Sequence, residues 1–573
     1  MKTGPTTSQS AIKLPDYIQL VTAAEFKQVV KRLPDDEWAI DTETDGLDIR
    51  GSDSTNKAFY VGVMPMSRKV CFVMDADDFR SEWETFKHLQ YVGHNARFDF
   101  HALNVTPDKP WKDTMVQAYY RHTTGRRSLD HLARTKGWSK VATPAEIKAG
   151  NILLLDEAVV ANYLGDDVLV TAKLAHENRK WGRDAEKDLN MDYAVERAVQ
   201  RMESQGMRLL PDKLSGVARK VDDLIAGAKT ELFKLGMNGD PSSPRQVADW
   251  LQREGVPLPR TPKGNPSTSK VALQNLADAG NSYVLALMDW RKATKMQQAF
   301  LEPLPKLARN GVLYPSVNTT RTRTGRFSYD TPNLQQIPKR GGELSKALRG
   351  CFTSPYDDGL TACDFSQVEL RVAAAMANEP VLLEAFNSGR DPHAEVAAQM
   401  LGKKLEQITP QERFGAKAVN FGILNGMGAK RLAIELKSDT NHARRFLNDY
   451  RRSLHRLNDW MEGIWREAEA YRIVRTVAGR TRIFTNEEET RSAISVVVQG
   501  SAAELMRHSL VAVDQSELTP LLSIHDEIIV RGTGQGELLK DIMQTAANTA
   551  YPEVFGGVSF DAEFTEGETW GDV

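Results

Sequence analysis

The decapeptide LLSIHDEIIV, residues 521–530, restricts the fold more than any other stretch of the chain. It is an apolar, strand-like run interrupted by two acids, Asp526 and Glu527. Charge in such surroundings is costly unless an opposite charge meets it. The fold must therefore bring a cation to this point. A candidate partner acid lies far upstream. GLTACDFSQVELRVAAAMA (359–377) reads as a short strand running into a helix, with Asp364 at the junction. Ser366 and Glu369 have capping-box spacing, which by itself accounts for the segment as an ordinary strand-to-helix turn. The functional reading pairs Asp364 with Asp526, from distant strands, as holders of divalent ions. Magnesium needs only one or two carboxylates when phosphate oxygens supply the rest.

With 573 residues the chain is too long for one core, and length as a prior gives roughly three or four domains. No window approaches the ~20 apolar residues of a membrane span, so no membrane role is expected. The N-terminus lacks the apolar core of a secretory signal. Cys71, Cys351 and Cys363 are scattered, which excludes a zinc set or a disulfide framework and fits a reducing compartment such as the cytoplasm. Net charge is −2, so any case for nucleic acid must be local. Residues 318–340, NTTRTRTGRFSYDTPNLQQIPKR, hold Arg321, Arg323, Arg326, Lys339 and Arg340 against one acid. Their Thr, Ser, Asn and Gln side chains are short donors suited to phosphates and base edges.

Strand patterns EWAIDTETDGLD (37–48), AFYVGVMP and KVCFVMD come first, and helical patterns dominate from there to about residue 185. That order predicts an α/β domain with an open sheet. In DTETDG, Asp41 and Glu43 are two apart and share one face of a strand. Asp99 follows a helix start at Asn95, and Tyr163 and Asp167 are stacked four apart on another helix. Each piece alone reads as a surface acid. Together, four acids and a phenol suffice for a centre in which two cations about 4 Å apart activate a water and stabilise a leaving phosphodiester oxygen. Tyr163 would orient that water. In ERFGAKAVNFGILNGMG (412–428), Arg413, Lys417 and Phe421 recur every four residues and form one helical stripe. Two cations and a ring suit a nucleotide; a basic surface helix with Phe421 in the core is the plainer alternative.

DTET, HNARFD and YLGDD, in that order, resemble the motifs of the proofreading 3′–5′ exonuclease superfamily, DEDD type with tyrosine, over roughly residues 36–180. DFSQVELR, RFGAKAVNFGILNG and IHDE resemble motifs A, B and C of family A DNA polymerases, the DNA polymerase I type. TGRFSYDTPNLQQIP (324–338) and RSAISVVVQGSAAELM (491–506) resemble that family's primer-template segment and the helix between motifs B and C. The resemblance implies an α/β plus α+β multidomain chain. An RNase H-like exonuclease domain is followed by a right-hand polymerase domain of palm, thumb and fingers. The expected bounds are a tail and helix over 1–35, exonuclease 36–187, thumb-side helices 188–310, palm 311–375 and 488–573, and fingers 376–487.

By the same resemblance, Asp364 and Asp526 are catalytic metal ligands, with Glu527 a nearby acid. Asp41, Glu43, Asp99 and Asp167 hold the exonuclease metals beside Tyr163. Two Mg2+ ions are implied at each centre, with Mn2+ as a substitute. Arg413, Lys417 and His393 contact the triphosphate, Phe421 packs on the sugar, and Glu369 is the steric gate beside the 2′ position. Arg326, Asn333, Gln335, Arg491, Gln499 and His525 face the primer-template DNA. Deoxynucleoside triphosphates are the other partner, with helicase, primase and single-strand binding protein as replisome partners of a monomer. Only about 35 residues precede the first exonuclease strand, below the ~50 of a domain, so the form resembles compact phage replicative enzymes acting in the host cytoplasm. Asn425 stands where the family usually has tyrosine, Ser495 where it commonly has asparagine, and Gln336 replaces another asparagine. Altered base selection or a substitute ring nearby is expected from Asn425. The alternative function is an exonuclease whose C-terminal half only grips nucleic acid.

Overall fold

The computed structural model describes residues 14–51, 54, 56–178, 181–261, 263–339 and 342–573. Residues 1–13 of the expected tail and Arg340 of the basic segment lie outside them. The chain divides into two compact units. One holds the residues up to Gly206, Pro315–Asp330 and Thr361–Glu566; the other holds Met207–Tyr314, Thr331–Leu360 and Gly567–Val573. Both mix helix and strand, as expected. Among the described residues no helix is long and apolar enough to cross a membrane.

The first unit begins with a six-stranded sheet, in the order β1-β4-β3-β2-β5-β6. Its strands are β1 (Ile18–Leu20), β2 (Glu37–Thr44), β3 (Ala58–Pro65), β4 (Cys71–Asp75), β5 (Gln90–Gly93) and β6 (Lys112–Asp113). β2 pairs antiparallel with β3 and parallel with β5. The three strands legible in the sequence are present, but β5 and β6 interrupt a stretch that reads as helical. β5 is a short parallel strand, buried along Tyr91–Gly93, and such strands lack the alternation that makes a strand legible. Phe26, Trp38, Phe86, Phe100 and Trp111 form the core on one side of the sheet. On the other side, Leu164 and Val168 of the Glu157–Glu177 helix pack against Cys71 and Val73. Gly62 of β3 stands opposite Asp41 of β2. A Cβ at Gly62 would come 3.0 Å from both Leu164 and Val168. Directly opposed residues share a sheet face, so the missing side chain lets this helix close over the face that carries Asp41.

The same unit contains a four-stranded sheet, ordered Pro520–Ile524, Glu527–Arg531, Leu360–Phe365, Ala562–Gly567. The Ala493–Asp514 helix is buried on nearly every side, as a helix apolar all round must be. It still carries Glu504 and Arg507, and their partners explain how. Arg480 donates to both carboxylate oxygens of Asp192 at 3.0 Å and to Glu504 at 2.8 Å. Arg507 donates to Asp192 at 2.9 Å and to the carbonyls of Thr319 and Gly325, each at 2.9 Å. Asp192 lies on the Arg183–Gln205 helix, which runs unbroken across position 187/188. One buried charge cluster therefore ties that helix to the 319–325 loop that precedes Arg326.

The second unit has a three-stranded sheet of Phe352–Thr353, Met207–Leu209 and Val312–Leu313. Its helices Pro211–Lys234, Pro244–Arg253 and Ser282–Met296 share a core around Trp250, Leu251 and Leu287.

Breaking a buried ion pair from one side strands the other charge, at a cost of about 3–5 kcal/mol. Asp192→Ala removes one carboxylate from two buried guanidinium groups, which keep Glu504 and the Thr319 and Gly325 carbonyls, and should lower stability by up to about that much in urea unfolding. Exposed Asp212→Ala should leave it nearly unchanged.

Candidate functional site

Two acid clusters stand in the first unit. In the first, Asp99 reaches from the Ala96–Ala102 helix to β2, where its Oδ1 accepts from the Thr42 amide at 2.9 Å and the Thr42 hydroxyl at 2.6 Å. Thr42 lies between Asp41 and Glu43, so this contact registers the second motif against the first. The opposite helix face carries Arg97 and His101, four apart. The Arg97 guanidinium is 3.5 Å from Glu196, and His101 Nε2 is 2.8 Å from Glu203, both on the Arg183–Gln205 helix. Arg97 also donates to the Val317 carbonyl. These contacts turn Asp99 toward the sheet.

Asp167 arrives from the Glu157–Glu177 helix, where Lys140 Nζ lies 2.5 Å from its Oδ1. Lys140 also donates to the Tyr163 hydroxyl at 3.4 Å and sits 4.6 Å from the Tyr163 ring centre. Thr143 shares a hydrogen with the same hydroxyl at 3.1 Å. Sequence reasoning missed Lys140 and Thr143, which lie in a loop without motif spacing.

The electrostatics fit a divalent cation. Burial pushes the Asp41 carboxyl well above its usual range, and Asp99, Asp167 and Glu43 push it further. Burial, then Asp167 and Asp99, raise Glu43 to about 8. Asp99 is raised by burial to about 7 against the Thr42 hydrogen bonds, and Asp167 by burial to about 6 against Lys140. Four carboxylates that hinder each other's ionisation want a shared positive charge. Among the described residues no three such side chains form a ready metal cage. Asp99 and Asp167 already have Thr42 and Lys140 as partners, and magnesium does not require an all-protein cage.

In the second cluster, strand pairing brings the remote acids together. Ile524 pairs with Glu527, which leaves His525 and Asp526 as a two-residue hairpin turn. His525 has φ +58°, the sign a type II′ turn needs at its first central residue. The Phe365 amide donates to the Asp526 carbonyl at 3.1 Å, so Asp364 and Asp526 stand at the same end of neighbouring strands. Asp364 and Asp526 are half-buried, Glu527 is buried and His525 is exposed. Burial raises the Asp526 carboxyl, Arg326 opposes the rise, and Glu369 and Glu527 add to it. The Tyr329 hydroxyl accepts from the Ser523 amide at 3.0 Å and donates to its carbonyl at 3.1 Å, docking the segment after Arg326 on this hairpin.

The capping-box reading of Ser366 and Glu369 does not hold. The helix begins at Val368, and Gln367 before it is left-handed and supplies no side-chain cap. The Glu369 carboxylate instead pairs with Arg326. On the Pro410–Leu424 helix, capped by Thr409 and Glu412, the side chains of Arg413, Lys417 and Phe421 are exposed. Phe421 is 40% exposed, which removes the alternative that put it in the core. Arg413 pairs with Asp391. The His393 ring lies 5.6 Å from the Phe421 ring, centre to centre. It is buried, 2.8 Å from Asn420 Nδ2, and burial lowers it to about 4, so it is a neutral ring at neutral pH.

Asn425 continues the stripe. Its Nδ2 donates to the Phe421 carbonyl at 2.8 Å, and its Oδ1 accepts from Gln499 at 3.2 Å. Ser495 gives its hydroxyl to the Ser492 carbonyl at 2.9 Å. Arg491 is exposed after the short Glu487–Thr490 helix. Asn333, Gln335 and Gln336 fall in the second unit, at the 3-10 turn Leu334–Gln336.

The raised Glu43 value has a thermodynamic sign. Between the usual carboxylate range and about 8, the folded protein keeps a proton that the unfolded chain has released. Stability of the metal-free protein should therefore fall as pH rises through that window and level off above it. Urea unfolding in chelator at pH 5, 6.5 and 8 should show this decline. Glu43→Gln should make it shallower, with Asp41, Asp99 and Asp167 carrying the rest, and added Mg2+ at pH 8 should offset it.

A family model described as DNA polymerase family A matches residues 211–572, which include the second acid cluster. The thermostable DNA polymerase I of Thermus aquaticus is 33% identical over 484 residues, 79% of this chain and 55% of its own length. DNA polymerase I of Pseudomonas aeruginosa is 26% identical over 611 residues, 97% of this chain and 66% of its own. This chain thus spans between about half and two thirds of those relatives. DNA polymerase I of Aquifex aeolicus is 28% identical over 604 residues, 96% of this chain and 99% of its own. A solved structure described as the POL domain of Pol1 from M. smegmatis, in complex with DNA primer-template and dNTP, has the same fold. Its TM-score is 0.82 at 22% identity, over 97% of this chain and 100% of that one. With a family model matched over more than half its length, this chain belongs to DNA polymerase family A.

Proposed function

We propose that the protein is a template-directed DNA polymerase that extends a primer 3′-hydroxyl with deoxynucleotides and proofreads with a 3′–5′ exonuclease. The observation that carries the polymerase reading is the pairing of remote strands that sets Asp364 beside Asp526. In the reaction, the primer hydroxyl attacks the α-phosphorus of the triphosphate in line, and pyrophosphate leaves. Arg413 and Lys417 bind the negative charge of the triphosphate and, after bond breakage, of the pyrophosphate. Phe421, exposed one turn on, packs against the sugar. Glu369, held by Arg326, stands where a ribose 2′-hydroxyl would clash. Movement of the Pro410–Leu424 helix toward the nucleotide would exclude water before chemistry.

The acids fit magnesium. Asp364 and Asp526 would hold it at the polymerase centre; Asp41, Glu43, Asp99 and Asp167 would hold it at the exonuclease centre, two ions at each. Mg2+ held there, for which Mn2+ would substitute, would make the attacking hydroxyl or water more acidic and neutralise the leaving oxygen. Tyr163, steadied by Thr143 and Lys140, orients the water that attacks the terminal phosphodiester. A mispaired terminus frays and reaches this centre as a single strand. The domain reading of exonuclease 36–187, thumb side 188–310, palm 311–375 with 488–573, and fingers 376–487 belongs to the same proposal. So do phage DNA replication in a host cytoplasm and the helicase, primase and single-strand binding partners.

Two double-sided tests follow. Asp364→Ala should abolish primer extension, about 10³-fold or more, while terminal digestion continues. Asp41→Ala with Glu43→Ala should do the reverse. Loss of digestion with extension retained in Asp364→Ala would overturn both assignments, and a wild type that digests but extends no primer would leave the exonuclease alternative. Asn425→Tyr should change the misinsertion frequency in single-nucleotide incorporation assays; an unchanged frequency would remove any role for this position in base selection.

A further inference from the structure

A cavity of about 430 Å³ opens where the Arg413–Lys417–Phe421–Asn425 stripe ends. Gly426, the next residue, lies on its wall. It has φ +71°, and a Cβ there would come 3.3 Å from the Arg491 carbonyl, so the chain end of the stripe and the Arg491 turn are closely apposed. Arg491 and Thr490 line one side of the cavity; Trp465 and Arg466 line another. Glu462 and Glu469 complete it, so its two cations and two acids balance.

Trp465 is what makes this cavity specific. Its helix, His455–Tyr471, buries Leu457, Met461, Ile464 and Ala468 as the core-facing stripe. Trp465 stands off that stripe, half-buried, with its indole on the cavity wall. A volume of this size is in the range of small-molecule sites. A ring wall gives a nucleobase a stacking face, guanidinium groups attract its phosphates, and carboxylates accept from exocyclic amines. Asn425 offers no ring of its own, and its amide is engaged with Phe421 and Gln499. Any stacking at this end of the stripe must come from elsewhere.

We infer that this cavity is a nucleobase subsite in which Trp465 stacks on the unpaired template nucleotide next in line beyond the templating base. The inference rests on the polymerase reading above. It assigns Trp465 as the stacking wall and Arg491 and Arg466 as the groups that meet the flanking phosphates.

The test uses the full chain and a primer-template carrying 2-aminopurine at the first overhanging position past the templating base. With wild type, binding should quench its fluorescence, and a two-nucleotide overhang should bind about tenfold tighter than a template ending at the templating base. Trp465→Leu, which keeps apolar packing, should abolish the quenching and erase the overhang's advantage. Trp465→Phe should retain most of both. A melting temperature close to wild type shows that the variants fold, and equal quenching in a folded Trp465→Leu overturns the inference. Should Trp465→Leu fail to fold, the Phe variant decides: full loss of quenching in folded Trp465→Phe contradicts stacking. Failure of the wild type to extend any primer-template would instead overturn the polymerase reading itself.

Discussion

The first unit depends on charge buried along one helix. Arg183–Gln205 presents Asp192 to Arg480 and Arg507, and Glu196 and Glu203 to Arg97 and His101. Each partner is long-range in sequence, and Arg97 and Arg507 are also bonded to backbone carbonyls within residues 317–325. Arg507 holds the carbonyls of Thr319 and Gly325, just ahead of Arg326. The Val317 amide donates to Glu203 at 2.6 Å, while Arg97 takes the carbonyl of the same residue. Buried ions are expensive, and they persist only where geometry satisfies them fully. Here they fix the side of the Ala96–Ala102 helix that faces away from Asp99, and the loop that delivers Arg326 to Glu369. Both acid centres therefore hang from one spine, and a disturbance of Asp192 or Glu203 should be felt at both.

Chemistry at the two centres starts from the same electrostatic problem, solved differently. At the Asp41 centre four carboxylates crowd together, and Lys140 pairs with Asp167 and also favours ionisation of Glu43. Their raised proton affinities follow directly. At the Asp364 centre Asp364 and Asp526 are less enclosed, and Arg326 opposes the rise that burial, Glu369 and Glu527 impose on Asp526. The Pro410–Leu424 helix in the same unit exposes two cations, Arg413 and Lys417. An acid-rich site suits a reaction whose only co-substrate is water. A site with a separate cationic face suits one that must hold a triphosphate.

Much of this was legible from the residues. Local patterns located β2, β3 and β4, the helix that begins after Asn95, the Pro410–Leu424 helix and the hairpin of LLSIHDEIIV. The ordered acid motifs pointed to two centres because motif residues act through their own strand or helix, which sequence periodicity reports. Lys140, the Arg480–Asp192 pair and the docking of Tyr329 on Ser523 were not legible. Their partners lie 27, 288 and 194 residues away, and nothing in local pattern marks a long-range pair. The capping-box spacing at Ser366 misled for a related reason: an arginine 43 residues upstream competes for Glu369 and wins, because a charged pair outweighs a local amide contact.

At the centre stands the meeting of Asp364 and Asp526 around divalent ions. Anomalous diffraction from crystals grown with Mn2+, primer-template and a non-hydrolysable deoxynucleoside triphosphate measures it directly. The account predicts manganese peaks bridging these two carboxylates and the triphosphate oxygens, with Arg413 and Lys417 on the far side. Manganese bound only elsewhere, with both carboxylates turned away from the nucleotide, would contradict it.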